Sequence, residues 1–160
     1  MTGIVNSTGA RSGVIGTTVG TSAGGGKIIQ VAHAQDNNPS TVSTTSTSWT
    51  TSGLSVEITG LVSTSKVLLL WNSGVGVGAG GETHRQIYRG STALGAGGYG
   101  MSVISVTGGF DPWSMTWMDT GHSGGTHTYT IYHKCDGGGQ TSYICWGNSM
   151  WNFTAIEIGA

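Results

Sequence analysis

Apolar and polar residues alternate with a period of two through most of the chain after residue 26, which is the pattern of half-buried β-strands. The clearest case is the run from Leu54 to Ile58, in which Leu54, Val56 and Ile58 share one face. Similar short runs recur between glycine-rich turns such as 78–81 and 137–139. This spacing predicts an all-β sandwich of roughly eight to ten short strands, most plausibly a jelly roll.

The strand predictions cover the whole chain after the glycine run at 24–26. The Ser/Thr tract at 40–52 predicts a polar loop or an edge strand, because it lacks the apolar side chains of a central strand. The strands are expected at 27–33, 54–58, 66–71, 84–89, 99–106, 114–119, 127–134, 141–146 and 150–158.

Two of these strands are apolar on both faces. In 66–71 and in 150–158, large apolar side chains occupy successive positions rather than every second one. A two-layer sandwich buries one face of a strand, so the other face needs a second cover. We expect that cover to be a neighbouring subunit in a trimer, and the alternative is an arm or loop of the same subunit. The expected trimer-interface residues are Leu68, Leu70, Trp151 and Phe153.

Residues 1–26 have no tight hydrophobic periodicity and cannot form a core of their own. They alternate Gly, Ser and Thr around two aliphatic pairs, Ile4-Val5 and Val14-Ile15. This pattern predicts an extended arm that docks on a partner, with Arg11 as a candidate for pairing with a carboxylate there. The alternative is a terminus that stays disordered. The predicted division is an arm at 1–26 and a jelly-roll domain at 27–160.

The amino-acid composition argues against nucleic acid and membranes as binding partners. Charged residues make up 8% of the chain, with six Lys and Arg against seven Asp and Glu, so no strong field exists to attract nucleic acid or anionic lipid. No apolar run approaches the length of a membrane span. The N-terminus lacks the basic and apolar regions of a secretory signal, and we expect folding in the cytoplasm.

The residue types of catalysis are present but scattered. No phosphate-binding loop, nucleophile elbow or CxxC pair occurs. His127 and His133 share a strand face but lie too far apart for one metal ion, while His84 and His122 are expected at the solvent or at an interface. We therefore expect no catalytic, cofactor or metal site, and a protein that is not an enzyme.

Cys135 and Cys145 flank the turn at 136–139 and are expected to face each other across a hairpin. In a cytoplasmic protein, reduced and partly buried thiols are favoured, and a disulfide is the alternative.

The tryptophans leave a second kind of function open. Asp111-Pro112-Trp113, near Trp117, has the composition of an acid beside sugar-stacking aromatics. The simpler interpretation is a turn capped by Asp111, with the tryptophans packed in the sandwich or an interface.

Five segments together resemble virion-associated proteins of marine and cyanobacterial tailed phages. The segment GIVNSTGARSGVIGTTVGT is similar to the N-terminal arms of these proteins, and four later segments are similar to the jelly-roll modules attached to them. Those four segments are TSTSWTTSGLSVEITGLVSTSKVLLL, IYRGSTALG, SMTWMDTGHSGGTHTYTIYHK and AIEIGA. The resemblance covers nearly the whole chain and implies a trimeric, non-catalytic protein of the particle.

The expected function is that of a capsid decoration, or cement, protein on the surface of the phage head. Its expected partners are itself, as a homotrimer, and the major capsid protein, which the arm would bind through Ile4, Val5, Arg11, Val14 and Ile15. The chain contains no heptads or shaft repeats of a long fibre. The alternative is a module of a tail fibre or tail tip that binds host-surface glycan.

Overall fold

The computed structural model describes residues 26–78, 80–95, 97–105 and 110–160. These residues form eleven strands and one short 3-10 turn at Trp146–Asn148. The strands are β1 (Ile28–Asp36), β2 (Val42–Thr44), β3 (Thr50–Leu61), β4 (Lys66–Gly78), β5 (Thr83–Arg89), β6 (Thr92–Ala93), β7 (Ser102–Ile104), β8 (Phe110–Asp119), β9 (Gly125–Cys135), β10 (Thr141–Ile144) and β11 (Trp151–Ile158).

The strands form two antiparallel sheets. The first sheet has the order β1-β11-β4-β10-β2, with β8 also paired to β4, and the second has the order β3-β9-β5-β6, with β7 also paired to β5. In the first sheet, β11 and β10 follow each other along one side of β4, and β8 pairs along the other side. The prediction of an all-β sandwich is confirmed.

The core lies between the sheets and consists of the inward side chains predicted from the alternation. Val67, Leu69 and Trp71 of β4 are buried there. Leu54, Val56 and Ile58 of β3 meet them from the second sheet and are also buried. Full burial of a side chain of this size contributes about 1.5–3 kcal/mol, so these strands supply much of the stabilising free energy.

The tract at 40–52 contains an edge strand, β2, which was one of the two predicted alternatives, and it also contains the beginning of β3. Two other local predictions differ from the structure. The strand expected at 99–106 is shorter, Ser102–Ile104. Asp111-Pro112-Trp113 is not a turn but lies within β8. Proline is tolerated there because β8 is an edge strand and needs hydrogen bonds on one side only.

The turn at 136–139 does not close a hairpin. It carries the chain from β9 in the second sheet to β10 in the first sheet, and these two strands are not paired. Cys135 and Cys145 are both free and buried. The Cys135 Sγ lies 3.4 Å from the Thr44 carbonyl, whereas the Cys145 Sγ lies 3.6 Å from the Ser73 Oγ. The expected contact across a hairpin is therefore wrong, and the thiols are fully rather than partly buried.

Candidate assembly surface

The outer face of the first sheet, which points away from the second sheet, carries a row of apolar side chains. Val31 of β1 lies opposite Ile156 of β11, Ile156 lies opposite Leu68 of β4, and Leu68 lies opposite Met118 of β8. We call these four residues the outer row. Residues directly opposite in an antiparallel pair have neighbouring side chains on one face, so the outer row is continuous across the sheet.

Nothing among the described residues covers the outer row completely. Val31 is 57% exposed and Met118 is 40% exposed, while Leu68 and Ile156 in the centre are half-buried. Ile28, at 59% exposure, extends the apolar area next to Ile158. A contiguous exposed apolar patch of this kind typically marks a contact surface.

The four residues expected at the trimer interface do not share one face. Leu68 and Leu70 lie on the outer face and are half-buried. Phe153 is fully buried in the core, because it lies opposite Trp71 on the inner face, and its side chain presents no surface to a neighbour. Trp151 lies on that same inner face and packs partly buried against the core.

Sequence reasoning missed Val31 and Met118. They come from β1 and β8, the two edges of the sheet, whose sequences are far from 66–71 and 150–158. Only the strand pairing reveals that they join Leu68 and Ile156. The alternation of Val31 with the inward Ala32 was the one signal in the sequence that could have located Val31.

The outer face becomes polar with distance from the outer row. The adjacent row runs through His33, Thr154, Leu70 and Thr116. The row after it contains Asn72 and Asn152, whose amides exchange two hydrogen bonds of 2.9 and 2.6 Å. The outer row is therefore bordered by polar residues on this side, and exposed apolar side chains of the described residues return only at the far end of the sheet, at Phe110 and Met150.

The described chain begins at the end of the sheet that carries the outer row. Gly26 packs against Ile158, and the Gly159 N–H donates to the Lys27 carbonyl at 2.8 Å. Residues 1–25 are thus attached beside the outer row. The expected arm contacts Ile4, Val5, Arg11, Val14 and Ile15 lie outside the described residues.

A groove opens along the edge of the sandwich between β8 and the residues Gly95, Gly100 and Met101. It has a volume of about 450 Å³ and is lined by Trp113, Met115 and Trp117. Trp117 is 37% exposed, and the Trp113 indole N–H has no hydrogen-bond partner among the described residues. The two tryptophans singled out in the sequence therefore share one groove, to which Asp111 does not contribute.

A buried ion pair joins the sheets at one end of the core. The Arg89 Nη1 donates to both carboxylate oxygens of Asp119, at 2.8 and 2.7 Å. The Tyr129 hydroxyl and the Gly121 N–H donate to the same carboxylate at 2.9 and 3.0 Å. Burial alone would raise the pKa of Asp119, but these hydrogen bonds and the Arg89 charge lower it below its ordinary value.

Glu157 is a second buried carboxylate with a structural role. It accepts hydrogen bonds from the Ser65 hydroxyl and the Val62 N–H, at 2.7 and 2.8 Å, and from the Gln30 amide at 2.8 Å. Burial opposes its ionisation, but these three donors bring the net pKa of Glu157 below its ordinary value. The carboxylate thus ties the turn between β3 and β4 to β1.

The histidines are more buried than expected. His84 and His122 are fully or nearly fully buried, which contradicts the expectation that they face solvent or a partner. His84 packs against Tyr99 with the ring planes tilted by 54°, and His122 lies beside His127 with ring centroids 5.8 Å apart. Within the described ranges, no three His, Cys, Asp or Glu side chains come together as metal ligands.

His133 is buried between the sheets beside a buried arginine. Its Nδ1 lies 3.0 Å from the Ser142 hydroxyl, and it lies directly opposite Arg85 in the strand register. Burial disfavours the imidazolium and the Arg85 guanidinium repels it, so the pKa of His133 is lowered to about 4.

We expect the stability of the fold to fall on mild acidification because of His133. With a pKa of about 4 when folded and about 6.5 when unfolded, the side chain takes up a proton first in the unfolded chain. Its stabilising effect is complete above pH 6.5 and is lost as the pH falls toward 4. Between pH 7.5 and 4.5 the free energy of unfolding should drop by about 2–3 kcal/mol from this residue alone.

Urea unfolding at a series of pH values checks this expectation. His133→Gln should flatten the profile above pH 4.5, whereas His33→Gln, which removes an exposed imidazole, should retain it. An unchanged slope in His133→Gln would show that another group is responsible.

Comparison of the sequence with known protein families and with curated proteins finds no match. No helix in the described part of the chain has the length and apolar character needed to cross a membrane.

Proposed function

We propose that this chain is a structural protein of a phage virion, a capsid decoration protein that forms a homotrimer on the head and binds the major capsid protein through residues 1–26. It acts by holding neighbouring capsid subunits together, without a catalytic step. The observation that carries the proposal is the outer row, an apolar surface that lies beside the point where residues 1–25 join the domain.

The strand order supports a jelly roll. Successive long strands alternate between the sheets: β1, β4, β8 and β11 lie in the first, and β3, β5 and β9 in the second. The first and last of them, β1 and β11, are hydrogen-bonded neighbours. Alternation of successive long strands between the two sheets, with the first and last strands paired, is typical of the double Greek key.

The trimer is supported by the apolar character of the outer row. A monomer would expose half or more of Val31 and Ile28 to water, and apolar surface contributes about 25 cal/mol per Å² when it is buried. Packing of this face around a threefold axis would bury it in all three subunits. Leu68 and Leu70, in the centre of the sheet, are the proposed anchors together with Val31, Ile156 and Met118.

The position of the arm supports bridging. Because each chain enters its domain beside the outer row, three arms of a trimer would leave from around the same contact. Linked binding sites raise the overall affinity by roughly 10²–10⁴ when all engage together. Three arms that each hold a different capsid subunit would therefore resist separation of those subunits.

Deletion of residues 1–26 tests the proposal. The shortened protein should keep the trimer mass but lose at least about 100-fold in affinity for capsids of the phage that encodes it. A full-length variant with Ile4, Val5, Val14 and Ile15 replaced by serine should lose affinity similarly. Capsid binding that is equal with and without the arm would refute the arm mechanism, whatever the oligomeric state.

The groove with Trp113 and Trp117 favours a second candidate, a tail-fibre or tail-tip module that binds host glycan. Tryptophan faces stack on sugar rings, and the groove volume of about 450 Å³ is in the range of small-molecule sites. Immunogold labelling of intact particles distinguishes the two candidates. Label on the head supports decoration, and label on the tail alone supports the glycan-binding candidate.

A further inference from the structure

Arg85 of β5 carries a buried positive charge that has no carboxylate partner among the described residues. Arg85 is 0% exposed and lies in the interior between the sheets. No carboxylate of the described residues forms a salt bridge with it. Its one hydrogen bond within that part of the chain runs from Nη2 to the Tyr143 carbonyl, at 3.1 Å. The Arg85 Nε and Nη1 have no partner there.

The neighbours of Arg85 include further polar groups without hydrogen-bond partners. Ser102 lies directly opposite Arg85 on β7, and Thr83 lies two residues away on the same face of β5. The hydroxyls of Ser102 and Thr83 are buried and unpartnered among the described residues, as is the Nε2 of His133, which lies opposite Arg85 on β9. Strand register therefore places these groups on the inner face next to Arg85, whose guanidinium extends across the interior to β10 of the first sheet.

The thiol beside this cluster does not supply the missing charge. Cys135 lies opposite Thr83 on the same face. Burial raises the pKa of the Cys135 thiol, so it remains protonated at neutral pH. Arg85, whose pKa is lowered by burial only to about 10, remains charged under the same conditions.

We propose that the fold binds a small monovalent anion of halide size at this site, held by Arg85 with the hydroxyls of Ser102 and Thr83. An uncompensated buried charge is strongly destabilising, and a guanidinium with unpartnered N–H groups, next to hydroxyls that can also donate, favours an acceptor with negative charge. A water molecule could accept hydrogen bonds here but would leave the charge unbalanced. Sheets that pack about 10 Å apart leave room only for a small ion.

Thermal unfolding of the full-length protein in different salts tests the site. The midpoint should rise by roughly 5 °C with millimolar sodium chloride or bromide, and should saturate, compared with sodium gluconate at the same ionic strength. Ser102→Ala and Thr83→Val should each shift the half-saturating chloride concentration about tenfold upward, because each removes one charge-assisted hydrogen bond. Ser114→Ala, which removes an exposed hydroxyl of the distant edge strand β8, is the matched control.

Each outcome is decisive for the proposal. Saturable stabilisation by chloride that weakens in both hydroxyl variants but not in Ser114→Ala supports it, as does a bromide peak beside Arg85 in anomalous diffraction. Equal midpoints in all salts would overturn it and leave water as the occupant. Chloride stabilisation that is unchanged in Ser102→Ala, Thr83→Val and Arg85→Met would also overturn it, because the ion would then bind elsewhere. If Arg85→Met does not fold, Ser102→Ala and Thr83→Val still show whether the anion binds at this site.

Discussion

Replacing Asp119 by alanine is expected to lower the free energy of unfolding by about 3 kcal/mol, because it leaves the partly buried Arg89 without its counter-charge. Arg89 donates twice to Asp119 across the gap between the sheets, and Tyr129 donates to the same carboxylate. Asp119 is 3% exposed, so water cannot replace it in the folded protein. Arg89 and Tyr129 would both lose their hydrogen-bond acceptor.

Equilibrium urea unfolding at pH 7 measures this loss. Asp136→Ala is the matched control, since the Asp136 side chain is 59% exposed and lies 3.6 Å from His84. Because the Asp136 carboxylate is mostly in water, its removal should cost about 0–1 kcal/mol. Arg89→Met combined with Asp119→Ala should recover part of the loss, because the double variant buries no unpaired charge. A loss in Asp119→Ala no greater than in Asp136→Ala would contradict the structural role of the pair.

Acidification should reproduce the effect of the Asp119 substitution. The folded pKa of Asp119 lies below its ordinary value, so the ion pair stabilises the fold fully above about pH 4. That stabilisation is lost as the pH falls through the folded pKa. This window lies below that of His133, and the two contributions are separable in a pH series.

Replacing Leu68 by lysine is expected to convert the proposed trimer into monomers of 16.3 kDa. Leu68 lies in the centre of the outer row, between Ile156 and Met118. A central interface residue is worth at least about 2 kcal/mol, and the threefold axis repeats the loss three times, so the trimer should lose about 6 kcal/mol or roughly 10⁴-fold in stability. The monomer itself should fold, because the lysine stem can lie along the sheet with its ammonium in water.

Sedimentation equilibrium or light scattering measures the mass of the protein assembly in solution. Val31→Lys, at the edge of the outer row, should weaken the trimer less. Val62→Lys is the matched control: Val62 is 49% exposed, close to the 57% of Val31, but lies in the turn after β3. A wild-type chain that is monomeric at all concentrations, or a trimer that is unaffected by Leu68→Lys, would refute this contact surface and with it the trimer proposed here.

The faces of individual strands could be predicted because side chains alternate by backbone geometry alone. Leu54, Val56 and Ile58 are buried as the alternation predicts, and Leu68 and Leu70 point opposite to Leu69. The prediction for Phe153 was wrong. It was grouped with Leu68 at the trimer interface, whereas the strand pairing places it opposite Trp71 on the inner face. A period of two tells which residues share a face, but does not tell which face is the interior when both are apolar.

By itself, the sequence determined the all-β class, the positions of nearly all strands and the existence of strands with two apolar faces, since these depend on local propensity and periodicity. The tertiary structure decided which distant residues meet: the outer row from four strands, the Arg89–Asp119 pair and the buried neighbours of Arg85. Hydrogen bonds between strands set these contacts, and their register depends on core packing over the whole sandwich rather than on residues near in sequence.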